Sequence, residues 1–228
     1  MSGFDRYAST YQATVQSSID FVGLDHDFFV QAKIAVLQEL VTRHFGHSAR
    51  PALLDVGCGI GQIHRWLLGR FREICGVDSS RQSIEEARRR NPEVRYEVSA
   101  GASLPYSSDT FDITTSICVV HHVEPATWLE FVVELKRVTR PGGLVCLIEH
   151  NPLNPLTRLA VYRCPFDEDA RLLSARHARK LLRLAGLTGV GSEHFLLFPR
   201  AVPILRTVER QLGTLPLGAQ YLAWGERR

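Results

Sequence analysis

The chain lacks any unbroken apolar run near the roughly 18 residues that a membrane-crossing helix needs. Its mean hydropathy of −0.06 agrees, so no span is expected. The first residues, MSGFDRYAST, hold no apolar stretch of the kind a secretory signal carries. Cysteine is sparse: the five, at positions 58, 75, 118, 146 and 164, are odd in number and form no C-x-x-C pair. That usage argues against a disulfide scaffold or a zinc site and for reduced thiols in the cytoplasm. Lysine is nearly missing, since Lys33, Lys136 and Lys180 are the only three among 27 basic residues. Arginine forks suit phosphate and carboxylate, but genome composition produces the same bias. The run Arg88-Arg89-Arg90 reads as a solvated helix face. An excess of one charge is lacking too, and a net +3 is too small to point to nucleic acid. No repeat or low-complexity stretch occurs, and histidines 44, 47, 64, 177 and 194 are scattered without metal-ligand spacing.

What remains is an ordinary globular composition, with 45% hydrophobic and 22% charged residues in 228. That length suits one domain, 1–228. Apolar side chains at helical spacing (Phe29, Ala32, Ala35, Val36, Leu40, Val41) predict a helix over 28–45. Then strands and helices alternate. Strands are predicted at 52–57, 73–78, 94–99, 111–120 and 144–150, and helices at 63–71, 80–90 and 126–139. This alternation implies parallel strands with right-handed crossovers, and the continuous apolar strands imply a sheet covered on both faces. The fold class is α/β. Residues 151–172 hold three prolines without sustained periodicity and read as an insertion over the sheet's ligand edge. A helix at 174–185 stopped by Gly186, and strands at 188–198 and 219–225, complete the chain. Between those strands lies a helical excursion around 202–212, within a second insertion at 199–218.

The first strand runs into Asp55-Val56-Gly57-Cys58-Gly59-Ile60-Gly61 just before a helix. Glycines there let backbone approach a ligand, and a helix N-terminus presents free N–H groups. The second strand ends at Asp78, where an acid can accept hydrogen bonds from a ribose diol. A dinucleotide site wants G-x-G-x-x-G, but Gln62 occupies the position of the third glycine. A pyrophosphate gains nothing from an acid at Asp55, whereas the ammonium of a sulfonium amino acid gains from one directly or through a fixed loop. The loop therefore favours S-adenosylmethionine over NAD.

The segment LLDVGCGIGQ resembles the first motif of class I S-adenosylmethionine-dependent methyltransferases, of the methyltransferase type 11 kind. The likeness continues in order through GVDSS, LPYSSDTFDITTS, VVHHV and LKRVTRPGGLVCLIEH, over most of residues 50–150. It implies a Rossmann-like seven-stranded, mostly parallel sheet with helices on both faces, an antiparallel last strand and an N-terminal helical lid at 1–48. It also implies that Gly57, Cys58, Gly59 and Gly61 approach the cofactor while Asp55 supports the loop. Asp78 would hold the ribose hydroxyls and Ser79 would border the adenine. Cys118 would also border the cofactor, and Tyr11, within the lid, matches a recurrent tyrosine of the family. Where relatives often carry Asp-Ala before the Leu104-Pro105 pair, this chain has Ala100-Gly101, so the adenine falls to the backbone of Gly101 and Ala102 or to packing. Ser83 likewise replaces a frequent methionine.

Methyl transfer from a sulfonium is an in-line displacement that asks the protein to position a nucleophile and exclude water. A hydroxyl acceptor also gains from a general base, and histidine is the usual one. His121 and His122 end the fourth strand, where alternation would put them on opposite sides; the family motif favours His122. The fifth strand ends at Glu149-His150, followed by Asn151-Pro152-Leu153-Asn154-Pro155. His150 is a second catalytic candidate. Glu149, Asn151, Asn154 and Arg158 are candidate substrate contacts, against a reading of an Asx-turn network that terminates the strand and a solvated arginine. Tyr7 joins them as part of the lid. The run Asp167-Glu168-Asp169 reads as a helix N-terminus with favourable charge, and no metal is expected.

The function expected is a cytoplasmic methyltransferase acting on an oxygen or nitrogen of a small molecule: a sugar, a lipid-linked sugar or a specialised metabolite. No nucleic acid partner is expected. The apolar face of the excursion (Val202, Ile204, Leu205, Val208, Leu212) either packs on the sheet or makes weak peripheral contact with a membrane. Three other classes remain: a non-catalytic S-adenosylmethionine-binding module, a macromolecule methyltransferase, and an NAD-dependent oxidoreductase that Gln62 opposes.

Overall fold

Strands whose side chains are apolar at every position have two faces to bury, and the sheet of this protein buries both. The computed structural model describes residues 11–99, 103–198, 212–213 and 215–228, with Tyr11, Gln12 and Val22 described through their backbone alone. Seven strands form one sheet: β1 (Ala52–Val56), β2 (Glu73–Asp78), β3 (Arg95–Val98), β4 (Phe111–Ile117), β5 (Thr139–His150), β6 (Thr188–Phe195) and β7 (Gln220–Glu226). Their order is β3-β2-β1-β4-β5-β7-β6. The first five are parallel, and β7 runs antiparallel between β5 and β6. The expected architecture, with its antiparallel last strand, is the observed one.

The period of two along each strand divides the core. Ala52, Leu54, Val145 and Leu147 point to a layer with α5 (Trp128–Val138) and α7 (Ala175–Leu184). Leu53, Leu144, Cys146 and Ile148 point to the other, with α2 (His26–Phe45) and α4 (Arg81–Arg90). Three further α-helices occur among the described residues: α1 (Tyr11–Ile19) before α2, the single turn α3 (His64–Leu67) after β1, and α6 (Pro155–Arg163) after β5.

The strand expected to reach 198 ends at Phe195, and four other differences from the sequence expectation bear on the site. The helix expected over 63–71 is α3 alone, because Leu68 turns extended and Gly69 adopts a positive φ. β4 stops at Ile117, not 120: Cys118 takes a left-handed φ of 57°, and a 3-10 turn, Val120–His122, follows. β5 begins at Thr139, which pairs with Phe111 across a bulge, so α5 passes directly into the strand. The stretch 151–172 contains α6, whose start was written in the sequence: Asn154 Oδ1 accepts from Thr157 N at 3.0 Å, and Pro155 fills the first helical position. Tyr7, Gly101, Ala102, nearly all of the 199–218 insertion and the side chain of Tyr11 lie outside the described residues. Among the described residues, no helix is long and apolar enough to cross a membrane.

Candidate active site

Parallel strands leave their carboxyl ends on one edge, and here β1, β2, β4 and β5 all end around one cavity of about 670 Å³. The loop after β1 is stitched to the end of β2. Gly57 N and Cys58 N both donate to Val77 O, at 2.8 and 3.0 Å. Asp78 uses one carboxylate oxygen to accept from Gly59 N and the other from Ser80 N, each at 2.8 Å. These amides are thus spent inside the protein, and the loop offers a ligand close approach in place of a cradle of free N–H groups. Burial raises the Asp78 carboxyl above its usual range, with the N–H groups of Ser80 and Gly59 opposing that rise.

Two of the glycines avoid different obstacles. At Gly61 (φ +67°) a Cβ would overlap the Tyr96 hydroxyl and lie 2.8 Å from Asn91 Nδ2. At Gly59 (φ +52°) a Cβ would meet nothing within 4 Å, although the residue lines the cavity. Gly59→Ala is therefore expected to cost about 1–2 kcal/mol of backbone strain and to leave the fold intact, while its methyl group blocks the ligand. Gly61→Ala is expected to lower the unfolding temperature further. Paired thermal unfolding and calorimetric binding curves check this: equal ligand affinity in Gly59→Ala would remove Gly59 from the binding surface.

Asp55 is only 3% exposed and both its oxygens are occupied inside the protein. Thr115 Oγ1 lies 3.1 Å from Oδ1, and His64 Nε2 lies 3.1 Å from Oδ2. His64 Nδ1 in turn meets the Tyr96 hydroxyl at 2.6 Å, and Asn91 Nδ2 donates to Tyr96 Oη and Gly61 O, both at 3.0 Å. Asp55 thus ties the end of β1 to β4 through Thr115 and to α3 through His64, while Asp78 holds the loop itself at Gly59 N. His64, read in the sequence as one of several scattered histidines, is fully buried within this network.

The other half of the cavity is built on the 3-10 turn after β4. Glu149, at the end of β5, accepts from Val119 N and Val120 N at 3.0 and 2.7 Å and meets His121 Nδ1 at 2.5 Å. Trp128 Nε1 donates to Val120 O and Val123 O, and Arg171 N donates to His121 O, which draws residues 165–171 onto the turn. This brings Asp167 to 3.6 Å from His121 Nε2 and 3.3 Å from His122 Nε2. The His121 ring also lies 5.2 Å from that of His150. Burial disfavours charge on His121, but Glu149 and Asp167 outweigh it and hold the imidazole up at about 10. Burial likewise opposes ionised Asp167, yet hydrogen bonds from His121 and His122 keep it far below the carboxylate range. Burial would raise Cys118 as well, but Lys33 and His150 bring its thiol down to about 7.

Both His121 and His122 border the cavity, as does His150, because a 3-10 turn does not alternate sides as a strand would. Asp55, Gly57, Cys58, Gly59, Asp78, Ser79, Cys118 and Asn154 line it too. Gly61 stays behind the loop against Tyr96. Glu149 is fully buried behind His121, and Asn151 is 1% exposed, its amide donating to Pro216 O and Gly218 O while its oxygen accepts from Leu153 N. The Asx-turn reading is thus the observed one at Asn151, and Arg158 is exposed away from the cavity. Asp167 is not at a helix N-terminus: it closes the 3-10 turn Pro165–Asp167 and faces inward. Sequence reasoning missed it because its partners come from other segments, and only its place after Cys164-Pro165-Phe166 hinted at a buried turn.

Residues 54–147 match the family model described as a methyltransferase domain. An uncharacterised methyltransferase of Synechocystis sp. is 30% identical over 156 residues, which cover 67% of this chain and 74% of that protein. The chain belongs to the class I S-adenosylmethionine-dependent methyltransferases. Another methyltransferase relative, the O-methyltransferase cnsE of Penicillium expansum, is 31% identical over 72% of this chain and 63% of its own length. This chain spans about half to three quarters of such curated relatives. In fold it is similar to an S-adenosylmethionine-dependent methyltransferase of Thermotoga maritima, with a TM-score of 0.73 at 17% identity over 99% of this chain and 98% of that one. S-adenosylmethionine is accordingly the cofactor of this methyltransferase fold.

Proposed function

We propose that this methyltransferase moves the methyl group of S-adenosylmethionine to an oxygen or nitrogen of a small molecule with an apolar body. The observation that carries the reading is one continuous cavity with a polar cluster, His121, His122, His150 and Asp167, set in an otherwise greasy far wall. That wall is made by Val15 and Ile19 of α1, Leu156 and Val161 of α6, and Phe166. Such a pocket rewards an acceptor that presents one heteroatom to the cluster and buries the rest. O-methyltransferases among the relatives support oxygen.

At the other end, Asp78 takes the ribose hydroxyls through the lone pairs its backbone bonds leave free. Lys33, the only lysine or arginine among the described residues lining the cavity, pairs with the cofactor's carboxylate. Gly57, Cys58, Gly59, Ser79 and Cys118 border the cofactor by close packing. The helices before β1 form a wall that excludes water from the sulfonium. His122, held by Asp167, takes the acceptor's proton as the new bond to the methyl carbon forms and the carbon–sulfur bond breaks. The uncharged thioether product leaves.

Label transfer tests this. With methyl-labelled S-adenosylmethionine and a cell extract, protein-dependent label is expected in small molecules, organic-soluble if the apolar wall sets the choice. Label confined to polymer would replace this reading with a macromolecular acceptor; cofactor binding with no label in any fraction would favour a module that binds without turnover. With the acceptor in hand, His122→Ala is expected to slow single-turnover transfer about 10²–10⁴-fold. An unchanged rate would leave positioning alone as the mechanism.

A further inference from the structure

The geometry points to a divalent transition-metal site made by His121, His150 and Asp167 on the acceptor side of the cavity. One ligand atom from each of these residues lies within 4.8 Å of the others. Two imidazoles and one carboxylate are a donor set suited to first-row ions such as Zn²⁺, Fe²⁺ or Co²⁺, and the face turned to the cavity leaves positions open. The sequence contains no such spacing because the three residues come from the turn after β4, the end of β5 and the turn after α6.

Three observations beyond proximity support it. First, His121 Nδ1 meets Glu149 Oε2 at 2.5 Å, which commits its other nitrogen, Nε2, to the side where Asp167 stands at 3.6 Å. A buried carboxylate behind a histidine is the usual device for fixing a metal-ligating ring and strengthening its donor nitrogen. Second, His150 has a partner of its own in Gln220, whose side-chain nitrogen is 3.3 Å from His150 Nδ1. The far end of that amide, Oε1, is buried without a partner. The amide nitrogen also donates to Cys118 Sγ at 3.7 Å; with the amide turned, its oxygen would accept from His150 Nδ1–H and from the Cys118 thiol, leaving His150 Nε2 to ligate. Third, Glu149 and Asp167 put two carboxylates into a buried space with His121 between them, and a divalent ion that takes the place of the proton between His121 Nε2 and Asp167 keeps that charge balanced. His122, at 3.3 Å from Asp167, orients that carboxylate without being one of the three ligands.

Binding of the ion does not depend on the reaction class, but its use does rest on the methyl-transfer reading. An open coordination position would hold the acceptor's heteroatom in line with the methyl group and ease loss of its proton, with no change of oxidation state.

The test is a Co²⁺ titration of the full, tag-free chain after treatment with chelator, read by the visible absorption of bound Co²⁺ and by displacement with Zn²⁺. One ion per chain is expected. Asp167→Asn and His150→Gln should each weaken Co²⁺ binding at least tenfold, and Glu149→Gln about 10–100-fold although Glu149 supplies no ligand. S-adenosylmethionine binding by each variant reports that it is folded. Wild-type protein that binds S-adenosylmethionine but takes up no Co²⁺ or Zn²⁺ would overturn the site, as would uptake indifferent to Asp167→Asn. Label transfer separates the two readings: transfer undiminished by chelator removes the ion from the reaction and leaves methyl transfer standing. Stoichiometric metal uptake without any transfer keeps the site and removes the proposed reaction.

Discussion

Asp78→Ala is expected to weaken S-adenosylmethionine binding by at least about a hundredfold. A carboxylate facing a ribose diol makes two charge-assisted hydrogen bonds, each worth about 1.5–3 kcal/mol, and about 1.4 kcal/mol is a factor of ten. The loss has a second source in this protein. Asp78 also accepts from Gly59 N and Ser80 N, so the alanine frees the glycine loop from the end of β2. Asp78→Asn should fall between wild type and alanine, since its oxygen keeps one acceptor while its amide nitrogen opposes the other N–H. Calorimetric titration reads all three. An affinity within threefold of wild type in Asp78→Ala would move the ribose elsewhere, and tight NAD binding by the wild type would reopen the dinucleotide alternative.

His64→Ala is expected to be the most damaging single change to stability among the groups around the loop. It leaves the buried Asp55 carboxylate without a donor at Oδ2 and takes a partner from the Tyr96 hydroxyl. A charged group stranded in the interior, together with the void left by the ring, costs about 3 kcal/mol. For a chain of 228 residues that is a fall of about 6–12 °C in unfolding temperature. His47→Ala, at an exposed position, should stay within about 0.5 kcal/mol and serves as the control. A His64→Ala protein as stable as His47→Ala would mean that the Asp55–His64–Tyr96 chain of hydrogen bonds contributes nothing. Because Asn91 ties the same network to Gly61 O, cofactor affinity should fall along with stability.

The elements that were legible in the sequence are those whose signal is local. Strand β1 and its loop announce themselves by an apolar run followed by closely spaced glycines, and Asp78 by its place at the end of the next strand. α4 and α7 carry serine caps, Ser80 and Ser174, each accepting from the backbone three residues on. α6 carried an equally local signal in Asn154-Pro155, but the prolines around it read as a turn. The three residues credited to β4 beyond Ile117 are apolar or bulky enough for a strand. What ends it is the positive φ of Cys118 and the hydrogen bonds from Val119 and Val120 to Glu149, a residue of the neighbouring strand.

The acceptor side divides in the same way. His150 was found because it ends a strand at the ligand edge, and His121 and His122 because they closely follow one there, where chain order alone places them. Asp167 and His64 were not, because neither has a partner nearby in the chain that would mark it. Asp167 reaches its histidines only after α6 has crossed the edge and Arg171 has bonded to the turn. Arg158, one helical turn past the cap of α6, faces solvent because the apolar side of that helix is the one the cavity needs.

By itself, then, the order of residues determined the α/β alternation, the cofactor class and the edge at which the chemistry sits, since each follows from periodicity or from a loop that must lie against its ligand. The tertiary structure decided which titratable groups share that edge, which carboxylate fixes the loop and which holds a histidine. Those pairings join residues from different strands and turns, and burial together, not spacing along the chain, gives each its partner and its charge.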